Sequence, residues 1–315
     1  MKKIYISSSV ILVVIIVGLL GAGQYCYNKS VKRGESIELH KEAETVSAMA
    51  EQNNQLLQEA RIWFDMQTFE TKTLTSTDDL ELKAKFLKNE QATGKAVILA
   101  HGFRSSSESM GDFVKFYYDQ GFDVLMPDAR GHGDSEGDYI GFGWHDRKDV
   151  QQWISMLVEE ENENQIILHG ASMGAATVLM TSGESLPPQV KGIVADSGYS
   201  STYDELAYQL KQLYHLPAIP LLQITSAITS VRAGYNFGEA STVEQVSKNT
   251  LPLLIIHGDA DELVPTEMAH ELYDAAGGEK QLWIVPGAGH VKSHTISTEE
   301  YQDRVQQFID KSFEE

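Results

Sequence analysis

From residue 96 to the carboxyl end, short apolar runs alternate with longer amphipathic stretches. A parallel sheet wrapped in helices satisfies that rhythm, and an all-helical or all-strand protein does not. The apolar runs fall at 96–100, 122–126, 166–168, 193–195, 253–256 and 282–285, with helix-like stretches at 110–120, 144–159, 173–182, 266–276 and 299–311. Upstream, 69–74 and 80–87 alternate in strand fashion around Ser76-Thr77-Asp78-Asp79, which predicts a hairpin or two edge strands. One interval breaks the rhythm. Some fifty residues, about 199–250, separate two strands and carry helix-like 203–214 and 222–232 on either side of Leu216-Pro217-Ala218-Ile219-Pro220. An insertion at the carboxyl end of a strand lies where open α/β sheets bind ligands, so it reads as a lid or cap. A structural elaboration away from the site is the alternative.

The amino-terminal end follows different physics. Residues 4–23 contain no charge and lie between Lys2-Lys3 and the group Lys29, Lys32 and Arg33. As a helix, twenty residues span about 30 Å, one hydrocarbon core. The stretch is apolar on every face, which predicts a retained membrane anchor. The competing reading is a cleavable signal peptide ending at Gly21-Ala22-Gly23. The Lys-Lys start favours the amino terminus inside and the body outside the cytoplasm. Residues 35–62 are rich in Glu, Gln, Ala and Leu, and predict a helical stalk or a helix lying loosely on the body. The chain thus divides into an anchor with its basic flank (1–34), a stalk (35–62) and an α/β domain (63–315) with the cap insertion.

Charge narrows the function. The chain holds 25 Lys+Arg against 45 Asp+Glu, a net charge of −20, which repels phosphate backbones and argues against nucleic-acid binding. The single cysteine, Cys26, allows no internal disulfide and no thiolate zinc site, and there is no H-E-x-x-H. No metal and no organic cofactor is expected.

G-x-S-x-G occurs twice, around Ser135 and around Ser172. Ser172 directly follows the apolar run 165–169 and precedes the helix-prone 175–180, the strand-turn-helix setting that lifts a nucleophilic hydroxyl clear of a sheet. Ser135 sits several residues past its strand in a Gly-rich loop and reads as a loop residue. A serine needs an imidazole to take its proton and a carboxylate to hold that imidazole. His257-Gly258-Asp259-Ala260-Asp261-Glu262 follows one later strand, and Pro286-Gly287-Ala288-Gly289-His290 follows the next. Asp259, Asp261 and Glu262 are candidate acids. His290 is the candidate base, with His294 four residues on as the alternative. His101, His169 and His257 each precede Gly at a strand's end and read as ligands of turn backbone.

With these motifs in order, residues 63–315 resemble the serine α/β-hydrolases, particularly the esterase, lipase and acyl-aminopeptidase-like branch with an H-G-F oxyanion loop. The resemblance implies an α/β-hydrolase fold, a mostly parallel sheet with helices on both faces, and a Ser-Asp-His order. In the pattern H-G-x-x-D-x-x-V-P it places the acid on Asp261 and the base on His290. It implies oxyanion donors at the backbone N–H of Met173, the residue after the nucleophile, and of Phe103 in His101-Gly102-Phe103. The expectation is a membrane-anchored hydrolase of small-molecule esters with an apolar acyl or aryl group, for which Tyr203, Leu206, Tyr208, Leu213, Tyr214 and Leu221 are candidate contacts. Peptidase or acyltransferase chemistry with the same residues, and a catalytically silent surface binding module, are the rivals.

Overall fold

In the computed structural model, which describes residues 2–34, 54–91 and 93–314, eight strands form one sheet. They are β1 (Glu70–Thr75), β2 (Glu81–Leu87), β3 (Lys95–Ala100), β4 (Phe122–Pro127), β5 (Gln165–Ala171), β6 (Val190–Asp196), β7 (Leu253–Gly258) and β8 (Lys280–Val285). Their spatial order is β1-β2-β4-β3-β5-β6-β7-β8. The expected hairpin is β1–β2, which joins the sheet antiparallel to β4 at one end. Strands β3 to β8 are mutually parallel. In β4 and β7 every residue is buried, as sheets covered on both faces require.

Helices α3 (Gly111–Asp119) and α10 (Thr298–Glu314) cover one face, packing Phe113, Tyr117, Tyr301 and Phe308 on Val97, Leu99, Ile167 and Val194. The other face is covered by α4 (Asp146–Glu159), α5 (Met173–Thr181) and α9 (Thr266–Ala275), whose Trp153, Ile154, Leu179 and Leu272 meet Ile98, Leu168, Ile193 and Ile255. Neighbouring residues of one strand go to opposite faces, as pleating demands.

The 199–250 interval holds α6 (Thr202–Tyr214), α7 (Leu221–Ala233) and the short α8 (Thr242–Val246). Ser201 caps α6 by accepting from the Asp204 N–H, and His215 in the left-handed region ends it. A third apolar core joins this insertion to α5 and to the amino-terminal helix through Met173, Met180, Tyr199, Leu222 and Tyr235.

The amino-terminal helix α1 (Lys2–Ser30) contains, over Ser9–Ser30, a stretch of mean hydropathy 2.2, long and apolar enough to cross a membrane. The expected stalk falls mostly on residues outside those described. Its described end is α2 (Gln55–Asp65), which is docked rather than loose: Leu57, Ala60 and Phe64 are buried and Arg61 pairs with Asp112 at 3.0 Å. Asn54 caps α2 by accepting from the Leu57 N–H. The 3.6-residue spacing of those apolar positions is visible in the sequence, but the matching groove on α3 is not.

Candidate active site

Ser172 stands between β5 and α5 with φ 55° and ψ −118°, a conformation that side-chain-bearing residues rarely adopt. Its flanking glycines hold it there. A Cβ on Gly170 would lie 2.2 Å from the Gly174 carbonyl oxygen, and one on Gly174 would lie 2.0 Å from that of Ala100. Only two backbones without side chains fit through that crossing. Ser172 is partly exposed at the rim of the sheet, and its N–H donates to Asp196 O at 2.8 Å.

The other two residues arrive from the ends of β7 and β8. His290 Nε2 is 2.8 Å from Ser172 Oγ, and His290 Nδ1 is 2.8 Å from Asp261 Oδ2. Asp261 Oδ1 accepts from the Leu263 and Val264 N–H groups at 2.9 Å each. Burial opposes its charge, but the neighbouring His290 and His257 imidazoles hold the carboxyl well below the usual carboxylate range. Neither rival acid competes: Asp259 is exposed and accepts from the Gly287 N–H, and Glu262 is exposed. His294 shares H-x-x-x-H spacing with His290 but is turned into the core between Phe113 and Tyr301, where burial lowers its pKa to about 3.

Gly102 lies against Ser172, a Cβ there being 3.4 Å from the serine Cβ. The 101–103 loop is braced from behind, since His101 Nδ1 donates to Gly102 O and His101 Nε2 accepts from the Ala129 N–H. His132 Nε2 accepts from the Arg104 N–H. Burial lowers both imidazoles to about 4, so they are neutral at pH 7 and able to accept. Among the described residues, no hydrogen bond engages the Phe103 N–H. Met173 is the first residue of α5, where N–H groups have no partner within the helix. Two free N–H groups thus flank Ser172 and lie on one cavity.

That cavity, about 380 Å³, sits above Ser172 and is overwhelmingly apolar. Of the insertion residues expected as contacts, Leu206, Leu213, Tyr214 and Leu221 line it, whereas Tyr203 and Tyr208 do not. Ser135 is structural, its Oγ donating to Asp128 O at 2.6 Å and accepting from the Lys83 N–H at 2.9 Å. His101 serves turn backbone as expected, and His257 meets Val264 O at 2.9 Å, but His169 does not, being held in the core between the Tyr117 and Tyr301 hydroxyls.

Sequence reasoning missed three participants. His257 Nε2 also lies 3.3 Å from Asp261 Oδ2, which gives the acid a second cationic neighbour when that ring is protonated. Ser197 Oγ accepts from the Val291 N–H at 3.1 Å and donates to Asp196 Oδ1 at 2.9 Å, which pins the loop bearing His290. Glu205 of α6 lines the cavity, and burial pushes its carboxyl up to about 8. The Ser197 contact exists because β6 and β8 end near one another, the His257 contact because the turn after β7 folds back on its strand, and the Glu205 position because α6 lies over the cavity.

A sequence-family model described as Serine aminopeptidase, S33 matches residues 91–223 and 222–294. The uncharacterized protein YqkD of Bacillus subtilis is 31% identical over 219 residues, covering 69% of this chain and 72% of that one. The uncharacterized membrane protein YNL320W of Saccharomyces cerevisiae is 24% identical over 253 residues, covering 78% and 81%. Among solved structures, the esterase Pf2001 of Pyrococcus furiosus is similar with a TM-score of 0.63 and 25% identity, covering 78% of this chain and 92% of that one. An esterase of Exiguobacterium antarcticum, at 14% identity and a TM-score of 0.58, covers 76% and 100% and shares the fold. With its strand order, its serine elbow and its family match in agreement, the chain belongs to the serine aminopeptidase S33 family, within the α/β-hydrolase superfamily of hydrolytic enzymes.

Proposed function

We propose that this protein is a membrane-anchored serine hydrolase of carboxylic esters, with residues 1–34 as anchor and basic flank and 63–315 as the catalytic domain. Ser172 Oγ attacks the ester carbonyl carbon while its proton passes to His290 Nε2. The carbonyl oxygen becomes an oxyanion received by the Phe103 and Met173 N–H groups, each donor contributing roughly 3 kcal/mol of barrier lowering. His290 then gives the proton to the leaving alcohol, and the acyl group stays on Ser172. Water, deprotonated by His290, attacks the acyl carbon, the carboxylic acid leaves, and the serine recovers its proton. Asp261 remains ionised throughout and fixes the imidazole tautomer. This chemistry calls for no metal or cofactor.

The observation that carries the reading is the unbroken relay from Ser172 through His290 to Asp261, 2.8 Å at each step, at the base of an apolar cavity. The esterase Pf2001, similar over most of its length, supports ester over amide cleavage. The helix α1 and the Lys-Lys start support an anchor with the body outside the cytoplasm. A second reading, hydrolysis of amides next to a free amine, is favoured by Glu205. Its buried Oε2 has no hydrogen-bond partner among the described residues, and the residue is part of the cavity lining, so a substrate ammonium drawn into the cavity would find an unpaired acceptor in its wall.

The test is covalent labelling of the full chain by a fluorophosphonate, beside the S172A variant, followed by rates on acyl esters and on aminoacyl arylamides. Labelling lost in S172A with faster ester turnover supports the proposal. Faster arylamide turnover that collapses in E205Q supports the second reading, and folded protein that never labels refutes both.

A further inference from the structure

The site's cavity is not made by the α/β domain alone. Ala22, Tyr25, Cys26, Lys29 and Ser30, all on α1, form one wall of it. These turns of α1 are fixed to the body. Gly23, Tyr27 and Val31, spaced four apart on one face, are buried, and a Cβ on Gly23 would sit 2.5 Å from Ile224 Cγ2 of α7. Beyond the helix, Arg33 donates to Ser135 O at 2.6 Å and to Gly133 O at 2.7 Å, and the Ile140 N–H donates to Val31 O at 2.7 Å.

Toward the amino terminus the opposite holds. Val10, Val13, Ile15 and Leu20 are 52–58% exposed on a helix that leaves the body. Docking therefore begins at Gly23, within the apolar stretch Ser9–Ser30. Ala22 on α1 shares the cavity lining with Leu213, Tyr214 and Leu216 of the insertion, all exposed, and Ile219 in the same connection of the insertion is 68% exposed. Lys29, a turn or two further along α1 and also on the cavity wall, marks the charged level just outside the hydrocarbon.

We propose that the cavity opens into the bilayer, and that its substrate is a membrane-dissolved ester whose long acyl chain slides in between α1 and the α6–α7 tip. This rests on the hydrolase reading above. It makes Ala22 and Cys26 of the membrane helix specificity-determining residues, and it requires that α1 be retained. A long acyl chain passing from lipid into such a wall exchanges one apolar surrounding for another and needs no transfer through water, whereas a short acyl group leaves the outer part of the cavity empty.

The experiment uses the full chain, one copy per nanodisc, and reads kcat/KM for a palmitoyl ester placed in the disc against a soluble butyryl ester of the same alcohol. A22W fills the wall and I219D charges the tip. The expected result is a long-to-short ratio at least tenfold lower in each variant than in the natural chain. A smaller change in either variant overturns the proposal while leaving ester hydrolysis standing. The natural chain provides a readout independent of substitution: alkylation of Cys26 by a maleimide is slowed at least tenfold after Ser172 reacts with a hexadecyl fluorophosphonate, but not with a methyl one. Equal alkylation in both cases also overturns it. No turnover of either ester and no labelling would instead remove the hydrolase reading on which the proposal stands.

Discussion

At Ser172 the backbone is held where an unsupported residue would relax, so its conformation depends on neighbours that give it no alternative. Under the proposed mechanism Asp261 acts through His290 alone. D261N should therefore keep the fold and fluorophosphonate access but lower kcat about 10³–10⁴-fold, because the amide no longer selects the tautomer with Nδ1 protonated. Steady-state rates with circular dichroism on the same sample check this. Glu205 leads to a prediction about pH. An unfolded glutamate ionises near pH 4.3, whereas burial keeps this one protonated to about 8. Between those values the native state holds a proton that the unfolded state has lost, so stability falls as pH rises and levels off above the folded value. E205Q removes that loss. Its melting temperature should stay near the natural protein's at pH 5 and exceed it by several degrees at pH 8.5; a constant difference at both pH values would contradict the assignment.

Among the elements, the β5-turn-α5 crossing is least tolerant. In G174A the new methyl group meets the Ala100 and His101 carbonyl oxygens at 2.0 and 2.8 Å, neither of which can move without shifting β3 and the 101–103 loop. The expected cost is at least about 2–3 kcal/mol, with activity lost in the fraction that folds. G287A is the comparison: with φ +73° and nothing within 4 Å of a Cβ, it stores backbone strain of about 1–2 kcal/mol and no collision. Denaturant titration of the two should rank them in that order. The buried Arg130 presents a similar dependence of element on element, donating to Asp149 Oδ1 at 2.6 Å from α4 and to Asp78 Oδ2 at 2.8 Å from the β1–β2 turn. R130M leaves the Asp149 charge buried and should cost about 3–5 kcal/mol.

On the scale of the whole molecule, α1 is built into the body that follows it. Tyr27 is 5% exposed in the core shared with α5 and the insertion, beneath the Arg232 guanidinium. Y27A should destabilise the full chain by about 3 kcal/mol, read as a lowered melting temperature in detergent. A helix hanging free of the body would show no shift.

The alternation of apolar runs, the serine elbow and the positions of Asp261 and His290 after successive strands could be read from the chain, because each is a local pattern imposed by backbone geometry. The apolar amino-terminal helix was equally legible, since twenty uncharged residues announce themselves. What only the tertiary structure decided was which side chains meet. Asp261 was separated from Asp259 and Glu262, one or two residues away, and His290 from His294, four residues on, by the direction of the chain at each turn. Ser197 holding the Val291 N–H and α1 walling the cavity are contacts between segments far apart in sequence, and His257 meets Asp261 only because the turn after β7 folds back on its own strand. A sequence carries periodicity along one dimension, and proximity across a folded sheet is a property of three.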